Sequence, residues 1–400
     1  MYRKSGATTE GPSLQRKAPD FLFLFLTLIF TAFGLVMVFS ASHVIAYKEY
    51  GDAAYFLKRQ AMWAGLGIIV MIVVMNIKPR FFKRITPFLL LTVFLLLFTV
   101  YIPGIGVELN GSRSWIRVSG FSLQPGEAIK PALILYTAYL LEKKGEGVRN
   151  FKNGLMPPLI VTASLVLPVV LQNDLGTAMI ALMTVMVMLF VGGARFLHML
   201  VLGVGAAVFA GIFILLFSYR LKRITAFLDP WQDPLVSGYQ LIQSLYAIAH
   251  GGLYGSGLKS IQQFFYLPFP YNDFIFAIIA EQLGFIGAGT FIVLYALWIL
   301  QGILISVKSG DFYSQLIGIG SISAIAIQAI INIGGVTGML PITGVTLPLI
   351  SYGGSSMIVT FFLSGLILGI SRSRRERQKD RKKSAMPVLK HATHLTSRMN

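Results

Sequence analysis

The 400-residue chain contains no cysteine, so neither disulfides nor thiolate-held metals enter its chemistry. Charge is scarce too: 12% of the residues are charged, against about 25% in soluble domains. The five histidines (His43, His198, His250, His391 and His394) are scattered, and none forms a His-x-x-x-His pair. There is no Gly-x-Ser-x-Gly nucleophile elbow, and Gly255-Ser-Gly257 follows no strand pattern, so a dinucleotide site is not indicated. What the chain has in abundance is apolar: 55% of residues are hydrophobic and the mean hydropathy is +0.71. That balance describes an all-α, polytopic integral membrane protein without a separate soluble domain.

Apolar runs of about 17–25 residues, enough to cross a bilayer, recur along the chain. Ten are expected, near residues 20–43, 58–77, 85–101, 127–142, 154–171, 175–193, 198–218, 273–306, 312–334 and 355–371. The eighth is long enough to be broken or tilted. Ten spans put both termini on one side, and Lys and Arg choose the side. Of the 34, 24 fall on the side of the termini and nine on the other, with Lys130 inside a span. Excess Lys/Arg marks the cytoplasmic face. The expected arrangement is therefore a multi-pass protein of the cytoplasmic membrane with both termini cytoplasmic. This distribution also explains the net charge of +18 without any nucleic-acid partner. The basic run 372–383 reads as a stop signal with some affinity for anionic lipid. Residues 1–19 form an N-terminal tail, 20–372 the membrane domain and 373–400 a basic tail. The first span is too long for a signal-peptide core and is expected to stay attached.

Most loops are short, but three on the outer side are not: 102–126, 219–272 and 335–354, the last without a charge. Long loops in compact proteins carry function or lack order; these are rich in Gly, Pro and aromatics and read as ordered. The first contains Asn110-Gly-Ser-Arg-Ser-Trp-Ile-Arg117 and Gln124-Pro-Gly-Glu-Ala-Ile-Lys130. Arg113 and Arg117 suit bidentate binding of phosphate. Trp115 suits stacking on a sugar or anchoring at the interface. Glu127 and Lys130, three apart, share a helix face and pair, either structurally or within a site. Between spans five and six, Asp174 is offered as a helix cap or as a second acid. The second long loop carries Arg223 and a stretch, 241–249, that suits an amphipathic helix lying on or dipping into the membrane. The third, 338–356, contains Ser351 and is apolar yet broken by Pro and Gly. Non-helical backbone at membrane depth must be buried in protein or line a cavity, so it is expected to form a re-entrant wall.

The stretch that organises these pieces is Phe264-Phe-Tyr-Leu-Pro-Phe-Pro-Tyr-Asn-Asp-Phe-Ile-Phe276, which places Asp273 where loop turns into helix behind Pro268 and Pro270. Asn272 or Asp273 suits an N-cap there; Asp273 equally suits a functional acid. Glu281 lies eight residues on. In a regular helix it would stand about 12 Å further along the axis and roughly 80° round. An acid inside a membrane helix is costly and points to function.

In this order, Asn110-Gly-Ser-Arg-Ser-Trp115, Gln124-Pro-x-Glu127, Asp174-Leu-Gly-Thr177, Asp229-Pro-Trp-x-Asp-Pro234, Gln243-Ser-Leu-Tyr-Ala247, Asp273-Phe-Ile-Phe-Ala277 and Ser351-Tyr-Gly-Gly-Ser-Ser356 resemble the SEDS family. The resemblance runs from about residue 20 to 372 and is nearest to the FtsW and SpoVE branch, with RodA next. It implies a peptidoglycan glycosyltransferase that polymerises lipid II into glycan strands outside the membrane, in division, elongation or sporulation. It implies a class B penicillin-binding protein as cross-linking partner, alongside divisome or elongasome membrane proteins. It also implies that Asp273 is essential and that Trp115 matters. Three positions depart from the family's usual pattern. Pro268-Phe-Pro270 stands for Pro-Glu-Pro, Glu281-Gln282 for two acids, and Pro125-Gly-Glu127 for Pro-Ser-Glu. Two missing acids lower the local negative charge and any affinity for a divalent cation. The sequence requires no cofactor; Mg2+ or Mn2+ is the one candidate, with no ligand set identified.

Glycosyl transfer from a pyrophosphate-linked donor needs the proton of an acceptor hydroxyl removed, and a carboxylate within hydrogen-bond reach serves as general base. The pyrophosphate leaves readily once cations neutralise it. Asp273 is therefore the expected base. Arg113, Trp115, Glu127, Lys130, Asp174, Arg223, Glu281 and Ser351 are the candidate substrate-binding residues. Two other classes share these features: a flippase or carrier of lipid-linked precursor, and a catalytically silent scaffold for a partner synthase. A carrier should place polar groups at the midplane and reach both faces, whereas here the acids crowd the outer one.

Overall fold

The computed structural model describes residues 18–109, 112–118, 121–215, 218–257 and 267–373. Among them are twelve α-helices: α1 (Phe21–Tyr50), α2 (Tyr55–Asn76), α3 (Pro79–Phe98), α4 (Ile129–Lys144), α5 (Met156–Leu171), α6 (Leu175–Val191), α7 (Phe196–Leu215), α8 (Ser218–Leu228), α9 (Tyr239–Gly251), α10 (Ile275–Val307), α11 (Phe312–Val336) and α12 (Gly354–Ser373). All except α8 and α9 stand where a span is expected. Seven, namely α1, α2, α3, α5, α10, α11 and α12, belong to apolar stretches long enough to cross a bilayer, and shorter apolar stretches fall in α6 and α7. The protein is a multi-pass membrane protein.

Burial sorts the helices into layers. In α11 and α12 the most apolar windows are 72% and 83% buried, against 28% and 22% for those of α2 and α3. The first pair forms the centre of the bundle and the second lies at its periphery. The sixteen residues of α4 rise only about 24 Å. Ile129, Leu133, Ile134, Leu135, Ala138 and Leu141 are all buried, so protein surrounds α4 on several sides.

The third span begins earlier than expected. Pro79 fits the first turn of a helix, where no N–H partner is needed. Arg80, Lys83 and Arg84 are thereby helical rather than in a loop, and Lys83 pairs with Glu142 of α4.

The eighth span is broken, as its length suggests. Gly284 has φ 67° and ψ −172°, a conformation essentially reserved for glycine. The break frees carbonyls and amides that cannot stay unpaired in a bilayer. The turn after α9 takes them: Ser256 N–H donates to Glu281 O (2.9 Å) and Gly257 N–H to Gln282 O (3.1 Å). In return, Phe285 N–H donates to Gly252 O (2.8 Å) and Ile286 N–H to Leu253 O (3.1 Å). That pairing holds α9 against α10. The helix expected at 241–249 forms as part of α9, and one face of it packs on the bundle. Leu241, Ile242, Ser244 and Ala247 are buried, and the Ser244 hydroxyl donates to Val336 O of α11 (2.7 Å).

The described residues of the first long loop include a three-stranded antiparallel sheet, β1 (Gly106–Leu109), β2 (Ser112–Val118) and β3 (Phe121–Leu123), in the order β1-β2-β3. The strands are an addition to the all-α expectation. Their signal is a short alternation: Ser114 and Ile116 are buried while Arg113 and Arg117 are exposed. The sheet is tied to the α5–α6 turn, where the Ser112 hydroxyl (2.8 Å) and Arg113 N–H (3.1 Å) both donate to Gln172 O.

Candidate active site

Residues 337–353, between α11 and α12, contain no regular helix, yet Val345, Leu347, Leu349 and Ile350 are buried. This is the expected re-entrant wall, and three loop regions meet on it. Ser351 shapes it. Its hydroxyl accepts from Leu347 N–H (2.8 Å) and its carbonyl accepts from the Gln60 amide of α2 (2.9 Å). Ser351 thus holds the wall's own turn.

Asp273 stands beside this wall, in the turn that precedes α10. The helix starts at Ile275, its N-cap is Phe274, and no side chain caps it. The expected capping by Asn272 or Asp273 is therefore corrected. The reason lies on α11: the Asn332 amide donates to the carbonyls of Asp273 (2.7 Å) and Val345 (2.8 Å), drawing the turn onto the re-entrant segment. On its other side, Tyr352 N–H donates to Tyr271 O (2.8 Å). Asp273 and Asn332, with Val336, Thr343 and Gly344, line a small, partly open cavity with room for about one water molecule. Gly344 has φ 72°, and a Cβ added there would lie 3.9 Å from Asp273 Oδ2, so bare backbone passes under the carboxylate. Burial raises the Asp273 carboxyl to about 6, against the opposing pull of its own backbone N–H and of Arg223 on α8.

Asp174 stands where the start of α6 meets the wall. It caps α6, accepting from Thr177 N–H (3.1 Å), and also accepts from the Gln124 amide. Burial raises its carboxyl despite these donors. A Cβ on Gly176 would lie 2.4 Å from Val345 Cγ1 and 3.1 Å from Thr343 O, so the start of α6 packs directly on the re-entrant segment.

Beneath the wall lies the expected ion pair. Lys130 Nζ is 2.6 Å from Glu127 Oε2, and the two residues are 2% and 5% exposed. Lys130 also donates to Gln328 Oε1 of α11 (2.7 Å). The Gln328 amide donates in turn to Thr346 O (2.9 Å), Thr346 Oγ1 (3.1 Å) and Ser356 Oγ (3.1 Å). One network therefore joins α4, α11, the wall and α12.

The remaining candidates stand apart. Glu281 is buried within α10, where Gly251 of α9 crosses its backbone. Because Asp273 precedes the helix, the regular-helix offset between the two acids does not apply. Arg113 and half-buried Trp115 lie on β2, with the Arg113 guanidinium 6.0 Å from the Tyr101 ring centre. Among the described residues, no hydrogen bond or ion pair joins either to Asp273. At the departures from the family pattern, Gln282 donates to the Ser40 hydroxyl of α1 (2.7 Å), and Phe269 is exposed with φ 50°.

Sequence reading missed Gln328 and Asn332. Their signal was available: two amides four residues apart, on one face of a largely apolar helix.

Among the described residues, no three of His, Cys, Asp and Glu are grouped so as to hold a metal ion. Arg223 acts on Asp273, and Asp174 already accepts from Thr177 and Gln124. These donors do not fit a protein-held divalent cation, and no step is derived through one.

An apolar helical bundle with a half-buried acid beside a re-entrant wall defines a polytopic membrane protein with a polar site at one end. Residues 20–376 match the FtsW/RodA/SpoVE family model, described as "Cell cycle protein", and the chain belongs to that family. It is 45% identical to stage V sporulation protein E of Bacillus subtilis over 360 residues, covering 90% of this chain and 98% of that one. It is 41% identical to a probable peptidoglycan glycosyltransferase FtsW of Geobacter metallireducens, covering 88% and 94%. Its fold matches a chain in a solved structure on the coordination of polymerization and crosslinking by a peptidoglycan synthase complex. There the TM-score is 0.74 at 31% identity, covering 89% of this chain and 98% of that one. The crystal structure of RodA from Thermus thermophilus matches with TM-score 0.66 at 28% identity, with coverage of 89% and 98%.

Proposed function

We propose that the protein is a peptidoglycan glycosyltransferase that polymerises lipid II at the outer face of the cytoplasmic membrane, with both termini cytoplasmic. The observation that carries this reading is Asp273: a single carboxylate beside a cavity, raised to about 6 by burial. A general base works best when its pKa lies near the working pH. Asp273 takes the proton from the acceptor sugar hydroxyl as that oxygen attacks the anomeric carbon of the donor. The polyprenyl pyrophosphate departs with the electrons of the broken bond. Arg223, near enough to lower the Asp273 pKa, is the cation proposed to offset that negative charge. Arg113 and Trp115 are assigned to the sugar-pyrophosphate part of a substrate lying further along the loop end.

A class B penicillin-binding protein is the proposed cross-linking partner, supported by the fold match to a chain of a synthase complex. Division or sporulation is the process the relatives favour. The test is glycan-strand formation from lipid II by the purified protein, alone and with a partner transpeptidase. Product under either condition is expected; none under both would return the protein to the scaffold or carrier reading.

A further inference from the structure

Asn332 holds two main-chain carbonyls from segments far apart in sequence, Asp273 O at 2.7 Å and Val345 O at 2.8 Å. Both contacts are made by the amide nitrogen, and both partners only accept. Rotating the amide would turn its oxygen against two carbonyl oxygens, so the orientation is set by chemistry. Asn332 is 4% exposed and lies on α11, among the most buried helices of the bundle. One turn earlier, Gln328 makes the same kind of contact to Thr346, and its oxygen is committed to Lys130. Two rungs on one rigid helix therefore clamp the wall, and the second rung also clamps the turn that carries the acid.

We infer that Asn332 is a positioning residue for Asp273: it acts through the main chain of the turn, holding the carboxylate over the cavity floor at Gly344. The inference rests on Asp273 being the base. Without the clamp, the turn and the wall are free to separate, and a misplacement of about 1 Å costs on the order of 100-fold in rate. Separation also admits water to the carboxylate and lowers the pKa that burial had raised. Arg223 of α8 is the one charged side chain among the described residues shown to act on it; the lining contributed by α11 and the wall is uncharged.

The test uses full-length protein and lipid II, with Asn332→Ala and the isosteric Asn332→Asp. Alanine donates to neither carbonyl and a buried, protonated aspartate has a single O–H for the two, so both variants should lose turnover by about 10–100-fold with KM within about twofold. In Asn332→Ala, which adds no charge, the acidic limb of the pH–rate profile should move down by about one unit. Amide hydrogen exchange should quicken in peptides covering 271–274 and 343–347. If Asn332 only fills space, Asn332→Asp keeps wild-type turnover and pH profile, and that result overturns the inference. A rise in KM at unchanged kcat overturns it as well. If Asn332→Ala does not fold, the isosteric variant decides. Asp273→Asn runs in parallel: activity there removes the base itself, whereas an inactive Asp273→Asn beside fully active Asn332 variants removes only the clamp.

Discussion

Replacing Asp273 by asparagine should separate chemistry from folding. Burial raises this carboxyl from 3.8 to about 6. At about 1.36 kcal/mol per pKa unit, holding it ionised in the folded protein costs about 3 kcal/mol. The sign follows from the direction of the shift. Below pH 4 the group is neutral folded or unfolded, and no penalty applies; the penalty grows between about 4 and 6 and is complete above 6. The replacing asparagine side chain carries no charge, so Asp273→Asn should keep or gain stability at pH 7, by up to about 3 kcal/mol, and gain nothing near pH 4. Activity should go the other way. A positioned base contributes about 10²–10⁴ in rate, so Asp273→Asn and Asp273→Ala should both lose polymerisation by that factor. Wild-type activity should rise through a midpoint near pH 6, falling to about a tenth of its plateau at pH 5. The assays are glycan-strand formation from lipid II across pH and thermal unfolding of the same preparations. Near-normal product from Asp273→Asn would refute the mechanism and return Asp174, Glu127 and Glu281 to contention. A wild-type midpoint near 4 would refute the buried-base argument.

Three further outcomes are expected. Lys130→Met leaves Glu127 buried without its cation and should cost about 3–5 kcal/mol, much of it recovered in the Glu127→Gln/Lys130→Met double variant; additive unfolding shifts would count against the pair. Gly284→Ala forces a Cβ within 2.3 Å of Gly255 N at φ 67°, so the unfolding temperature and yield should drop sharply, and an unchanged protein would show that the helix break is dispensable. Because the chain has no cysteine, single-cysteine labelling is free of background: a membrane-impermeant reagent should reach Asp233→Cys from outside whole cells and Glu146→Cys only after permeabilisation. The reverse pattern would invert the topology.

Several features were legible because their physics is local. The Glu127–Lys130 pair follows from three-residue spacing on a helix, and the Asp174 cap from the sequence Asp-Leu-Gly-Thr at a helix start. The Asp273 cap followed from the same rule and failed, because a side chain 59 residues away bonds the turn and α10 begins later. The small sheet escaped notice because its strands are short and bury few side chains, leaving only a brief alternation.

The sequence by itself determined the spans, since a bilayer obliges each apolar run of about twenty residues to satisfy its backbone internally as a helix. It also marked the acid at the loop–helix junction and the uncharged, Pro- and Gly-broken segment that forms the wall. Only the tertiary structure decided which polar groups meet. Gln60 reaches Ser351 across 291 residues, Lys130 reaches Gln328 across 198, and Asn332 joins the acid's turn to the wall. Away from water, such groups must find partners within the protein. Which partners they find depends on which helices pack side by side, and local spacing carries no record of that choice.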